Sequence, residues 1–187
     1  MTALPLLLLP VLLAAGTAWG APYQDTLRQQ DVTFEVKATD EGSIQLLQVR
    51  ARKRRQAYRP VKQELIGRVV GARAKDLNGD GRPELVVIVR SVGSGSYGGV
   101  QAWSAGTGRT LEPIALPDLS GALAVGYMGH DAFEVGETGL KRSFPIYRPG
   151  DSQAKPTGGR RTILYTLAGT DSGWVFQPDR VTTAPTP

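Results

Sequence analysis

Glu84-Leu-Val-Val-Ile-Val-Arg90 holds five aliphatic residues in a row, closed at each end by a charged one. The run is near-continuously apolar, without polar alternation, and only a few residues long. It therefore reads as a strand covered on both faces, placed at the centre of a sheet. Other segments read as strands around it. Val32–Lys37 alternates as V-T-F-E-V-K, with Val32, Phe34 and Val36 on one face. Ser43–Arg50, Glu64–Val70, Phe144–Tyr147 and Arg161–Leu167 are also rich in Val, Ile, Leu, Thr and Tyr. Gly71, Asn78-Gly79, Gly98-Gly99 and Gly158-Gly159 mark turns between them. Only Tyr23–Gln30 is expected to form a short helix. Many short strands with regular punctuation predict an all-β fold, an antiparallel sandwich or barrel. No period repeats, which counts against a propeller or solenoid.

The two ends read differently from the middle. Leu4–Ala15 is apolar apart from Pro5 and Pro10, and Ala18-Trp19-Gly20 puts small residues at both positions a signal peptidase inspects. The run is shorter than the roughly 20 apolar residues needed to cross a bilayer. Residues 1–20 are therefore expected to be a cleaved signal peptide, although no Lys or Arg precedes the apolar run. Export to the periplasm follows, with residues 21–182 as one domain and 183–187 as a disordered tail. The remaining length, about 165 residues, suffices for one core. No cysteine is present, which excludes disulfides, a lipidated N-terminal Cys, thiolate metal sites and Cys nucleophiles.

The net charge of +5 is local in origin. Arg50, Arg52, Lys53, Arg54, Arg55, Arg59 and Lys62 lie in one stretch without an acid, and the rest of the chain sums to −2. In an exported chain lacking an aromatic platform, nucleic acid is not the expected partner. A solvated loop or edge strand is one reading; attraction to anionic lipid or lipopolysaccharide is the other.

Three motifs bear on chemistry. Asp76-Leu-Asn78-Gly-Asp80-Gly-Arg-Pro-Glu84 alternates oxygen ligands around glycines, as a calcium loop does. The twelfth position is Val87, so an EF-hand is excluded. A self-capped turn explains the same residues. Gly93, Gly95 and Gly98 spell G-x-G-x-x-G, but V-Q-A-W-S-A-G follows where a dinucleotide site needs a helix. Neither Ser94 nor Ser96 has the glycines of a nucleophile elbow. What remains is a Gly/Ser loop with one aromatic, Tyr97, projecting from the end of the buried strand. Such a loop is suited to recognition; a plain hairpin linker is the alternative. His130, the sole histidine, has no sequence partner for catalysis and reads as a turn or structural residue.

S-V-G-S-G-S-Y-G-G at 91–99, G-Y-M-G-H-D at 126–131 and F-P-I-Y-R-P-G-D-S-Q-A-K-P-T-G-G at 144–159 together resemble the periplasmic inhibitors of invertebrate-type lysozymes. The D-L-N-G-D-G-R-P-E-L segment is similar too, and the likeness extends from about Gln30 to Val175. The resemblance implies a β-sandwich whose projecting loop enters the lysozyme cleft. It places the family's Ser-Gly-x-Tyr motif on Ser94, Gly95, Ser96 and Tyr97. Ser94 would bond the catalytic carboxylates, and Tyr97 would pack on the cleft wall. The implied protein is no enzyme, needs no cofactor or metal, and has an invertebrate-type lysozyme as partner; a homodimer is left open. The basic stretch is not expected from the family and would repel a cationic lysozyme unless it lay away from the loop. A calcium-dependent module for a glycan or envelope component is the second reading. An envelope hydrolase is the third, and no acid–base pair at a recognisable spacing supports it.

Overall fold

A computed structural model of the protein describes residues 22–39 and 42–185; the expected signal peptide and the last two tail residues lie outside these. The described chain is all-β. Its strands are β1 (Tyr23–Gln29), β2 (Val32–Ala38), β3 (Ile44–Lys53), β4 (Gln56–Ala57), β5 (Val61–Ile66), β6 (Arg68–Lys75) and β7 (Glu84–Arg90). They continue as β8 (Gly98–Ser104), β9 (Glu112–Ala115), β10 (Ala132–Val135), β11 (Leu140–Pro145), β12 (Arg160–Thr170) and β13 (Gly173–Ala184), with one 3-10 turn at Gly121–Leu123. Among the described residues no helix is long and apolar enough to cross a membrane.

Five strands form one sheet, in the order β1-β2-β3-β4 with β5 also on β3; eight form the other, in the order β10-β11-β12-β13-β9-β8-β7-β6. Period-two alternation drives the first sheet inward. Val32, Phe34, Val36, Leu47 and Val49 are buried to within 1% of complete. They meet Leu85, Val87, Val89 and Trp103 of the second sheet in one core. The opposite face of β7 presents Val86 to a second core built from Ala102, Ile114, Leu140, Phe144, Ile163 and Phe176. These side chains belong to the same eight-stranded sheet, so that sheet curls around them in a barrel-like manner. β7 is thus central and covered on both faces, as its composition predicts.

Four expectations need correction. Tyr23–Gln30 is not helical; it is strand β1, paired antiparallel with β2 from Tyr23↔Ala38 to Gln29↔Val32. Tertiary pairing overrides a weak local pattern there. Glu64–Val70 is two strands, not one, because the chain crosses between the sheets at Gly67. That residue sits at φ 120, and a Cβ on it would lie 2.6 Å from the Arg90 carbonyl oxygen. Only glycine fits such a crossing. The sheets are not wholly antiparallel, since Trp174 and Val175 of β13 pair in parallel with Ile114 and Ala115 of β9. No hairpin joins those two strands, so nothing fixes them antiparallel. Finally, β13 runs through Ala184 opposite Arg160, so the C-terminal strand takes in Thr183 and Ala184 of the expected tail.

Candidate functional site

The connection from β7 to β8 is a closed loop. The Ser91 N–H donates to the Tyr97 carbonyl (2.7 Å), and the Tyr97 N–H donates to Ser91 Oγ (2.9 Å). Inside it the Ser96 N–H reaches the Gly93 carbonyl at 3.1 Å. Ser94 faces solvent, Gly95 is buried, Ser96 is half-buried at φ 42, and Tyr97 is 48% exposed. The Tyr97 ring lies directly over Gly95: a Cβ there would come within 2.4 Å of Tyr97 Cε2. Glycine at 95 therefore sets the pose of the ring.

A second segment buttresses the loop from below. The His130 N–H donates to the Gly95 carbonyl (2.8 Å), and Gly129, at φ 92, leaves no room for a Cβ, which would meet that oxygen at 2.1 Å. Asp131, wholly buried, accepts from the Gly98 N–H (2.8 Å), the Tyr127 hydroxyl (2.5 Å) and Arg142 Nε (2.7 Å). Arg142 also donates to the Tyr127 hydroxyl at 2.9 Å and lies over the Tyr127, Phe133 and Phe144 rings. Burial disfavours the Arg142 charge, but the bond and attraction to Asp131 outweigh it and hold its pKa above the ordinary value. Burial, reinforced by Asp131, raises the Tyr127 phenol far out of the physiological range, so it stays a donor. Tyr127 in turn meets Tyr97 edge to face, with centroids 5.7 Å apart.

The third segment closes the assembly. The Tyr147 N–H donates to the Gly126 carbonyl (2.9 Å), and Tyr127 bridges to Ile146. The Tyr147 ring lies 6.4 Å from that of His130, and its hydroxyl donates to the Gln153 carbonyl at 3.0 Å. Burial first, then Asp151 and Tyr97, raise the Tyr147 phenol. Asp151 accepts from the Arg148 and Thr157 N–H groups, both at 2.8 Å, which hold its carboxyl below the usual range. Three motifs spread over almost seventy residues of sequence thus meet at one pole, where Ser94 and Tyr97 are exposed. His130 serves through its backbone, at φ 56, and Asp131 points away from its ring, toward Gly98 and Arg142.

Sequence reasoning missed the Asp131–Arg142–Tyr127 network. A signal was present: Leu140, Arg142 and Phe144 share the inward face of β11, and an arginine in that series demands a buried acid.

In the Asp76 loop the geometry is that of a self-capped turn. Asp76 accepts from the Gly79 and Gly81 N–H groups (2.8 and 2.9 Å), and Asp80 from the Arg82 N–H and guanidinium. Glu84 turns inward and accepts from the Leu77 N–H (2.7 Å) and the Ser104 hydroxyl (2.8 Å). The basic stretch lies at the pole opposite the 91–98 loop. Its hairpin abuts the β8–β9 turn, where the Arg59 N–H donates to the Arg109 carbonyl at 2.6 Å. β8 separates that turn from Tyr97 by roughly 20 Å at the usual rise per residue.

No curated protein matches the chain. The span that matches a family model is narrower than the likeness read from the motifs, and leaves the 126–131 and 144–159 segments outside it. Residues 60–116, which run from β5 to β9 and contain the Ser94–Tyr97 loop, match the family model of the periplasmic lysozyme inhibitor of I-type lysozyme.

Proposed function

We propose that the protein inhibits an invertebrate-type lysozyme in the periplasm by seating the Ser94–Tyr97 loop in the enzyme's substrate cleft. The family match supports lysozyme inhibition, and the geometry of the loop supports the mode. A glycosidase cleaves between two carboxylates. The Ser94 hydroxyl, solvent-facing on a loop without charged side chains, donates to them, and Tyr97 fills the cleft beside it. The inhibitor supplies obstruction and no chemistry.

The observation that bears most weight is the asymmetry of the loop: Ser94 and Tyr97 face solvent, while its backbone is fixed from beneath by Gly129, His130 and Asp131. A pre-ordered loop loses little entropy on binding. Four of the eight large apolar residues exposed among the described residues also lie here. Val92 and Tyr97 lie on the loop, and Val125 and Met128 on the segment beneath it. An apolar rim around a fixed projection is what a protein partner requires.

The test is the pair of substitutions Ser94→Ala and Tyr97→Ala, assayed by lysis of cell walls with purified lysozyme. The double variant keeps its fold, melts only a few degrees lower through loss of the Tyr97–Tyr127 contact, and loses inhibition. Full inhibition by that variant would remove the loop from the mechanism.

A further inference from the structure

The β3–β4 hairpin is built as a cationic tip. Arg54 and Arg55 occupy the two-residue turn between the paired Lys53 and Gln56, with Arg54 at φ 54. Turns of this length favour Asn-Gly, because an L side chain at positive φ is strained. Placing arginine there has no packing return, since the Arg54 side chain is 82% exposed. Arg52, Arg55, Arg59 and Arg109 are exposed beside it. Asp31 is shared by Lys53 (3.7 Å) and Arg54 (3.4 Å), and Asp80 is occupied by Arg82. Among the described residues no acid forms an ion pair with Arg52, Arg55 or Arg59. The backbone beneath is tied down: Arg59 N–H to the Arg109 carbonyl, Tyr58 N–H to the Ala51 carbonyl at 2.9 Å, and Arg109 Nε to the Ala57 carbonyl at 3.3 Å. Between Arg59 and Arg109 lies an open hollow of about 620 Å³.

From this arrangement we infer that the Arg52–Arg59 hairpin with Arg109 is a docking surface for a membrane bearing anionic phosphate headgroups. Guanidinium groups bind phosphate with paired hydrogen bonds, and the hollow admits a headgroup between two of them. None of the exposed large apolar residues lies at this pole. Contact is therefore electrostatic adsorption without insertion, and salt reverses it. Adsorption through this pole leaves the 91–98 loop facing away from the lipid, free to meet an incoming enzyme. That orientation rests on the proposed inhibitory role of the loop; the adsorption does not.

The experiment is flotation of the full protein with phosphatidylcholine vesicles, with and without phosphatidylglycerol, at low and raised salt. The protein floats only with the anionic vesicles and is released by salt. Arg54→Gln/Arg55→Gln/Arg59→Gln weakens binding on the order of 100-fold, about fivefold for each charge near an anionic surface. The same variant keeps the parent's circular dichroism spectrum and cooperative melting, which shows that it folds. Arg148→Gln/Arg180→Gln, which removes exposed arginines elsewhere, changes binding little. Equal binding to neutral vesicles, no binding at low salt, an unaffected triple variant, or an equally impaired control each overturns the inference. Retention on heparin without flotation would assign the array to a soluble polyanion and overturn it too. Lysozyme capture by vesicle-bound inhibitor is read separately: its failure alone counts against the loop or its orientation, and leaves adsorption standing.

Discussion

Replacing Gly95 with alanine separates the pose of Tyr97 from the stability of the protein. The φ of Gly95 lies outside the left-handed region, so the backbone tolerates an L residue. The added Cβ, however, would sit 2.4 Å from Tyr97 Cε2 and 2.9 Å from Cδ2, and the ring must swing away. Leaving Gly95 also breaks the edge-to-face contact with Tyr127, now at 5.7 Å. Such ring pairs contribute about 0.5–1.5 kcal/mol. Tyr97 is already about half exposed, so little burial is lost with it. The folded state should lose about 1 kcal/mol, a fall of roughly 2–4 °C in melting temperature for a domain of this size. The effect on the partner is larger. A tyrosine anchor at the centre of an interface is worth about 2 kcal/mol or more, so affinity for lysozyme drops roughly 30-fold. Calorimetric melting and titration of the inhibitor into lysozyme measure the two quantities. A Tyr97→Ala background supplies the control: Gly95→Ala adds nothing to affinity there, because its effect passes through the ring. Unchanged affinity in Gly95→Ala, or a further loss in the Tyr97→Ala background, would refute the reasoning.

Other outcomes follow from the same geometry. Asp131→Ala strands the buried Arg142 guanidinium and frees the Gly98 N–H; losing one partner of such a pair costs about 3–5 kcal/mol, read as a melting temperature lower by about 10 °C. Gly67→Ala destabilises by at least about 1–2 kcal/mol in urea unfolding, since its positive φ and the Arg90 carbonyl both exclude a Cβ. Burial raises the Glu84 carboxyl above its usual 4.5, so the folded chain holds that proton more tightly than the unfolded chain. Its contribution is complete below pH 4.5 and is lost as pH rises through the folded value. Stability relative to Glu84→Gln therefore declines across that window in pH-dependent unfolding, and a flat difference would contradict the assignment. Chelation leaves the melting temperature unchanged, because the carboxylates of the 76–84 loop already accept backbone and side-chain donors. A fall on adding chelator would restore the calcium reading of that loop.

Strands whose side chains alternate, or whose two faces are both buried, were legible from composition alone. Val32–Lys37 and Glu84–Arg90 are such cases, and the observed bounds follow them closely. Elements decided by distant partners were not. β1 exists because β2 pairs with it, and the break at Gly67 exists because Arg90 passes close by. The candidate site shows the same division. Ser94 and Tyr97 stand out in sequence because Gly/Ser runs around one aromatic are unusual. Asp131 and Arg142 do not, since their meaning lies in a contact between β11 and a turn that no local pattern encodes. The basic stretch was visible as charge, but only the pairing of its hairpin with the β8–β9 turn reveals that it faces away from the loop.

The central claim is that Ser94 and Tyr97 occupy the ground a sugar chain would take. Competition tests it most directly: lysozyme is titrated with inhibitor in the presence of increasing amounts of an N-acetylglucosamine oligomer that fills the cleft. If the loop plugs the cleft, the apparent dissociation constant rises linearly with the concentration of free oligomer. A constant indifferent to the oligomer would place the inhibitor elsewhere on the enzyme and contradict the account.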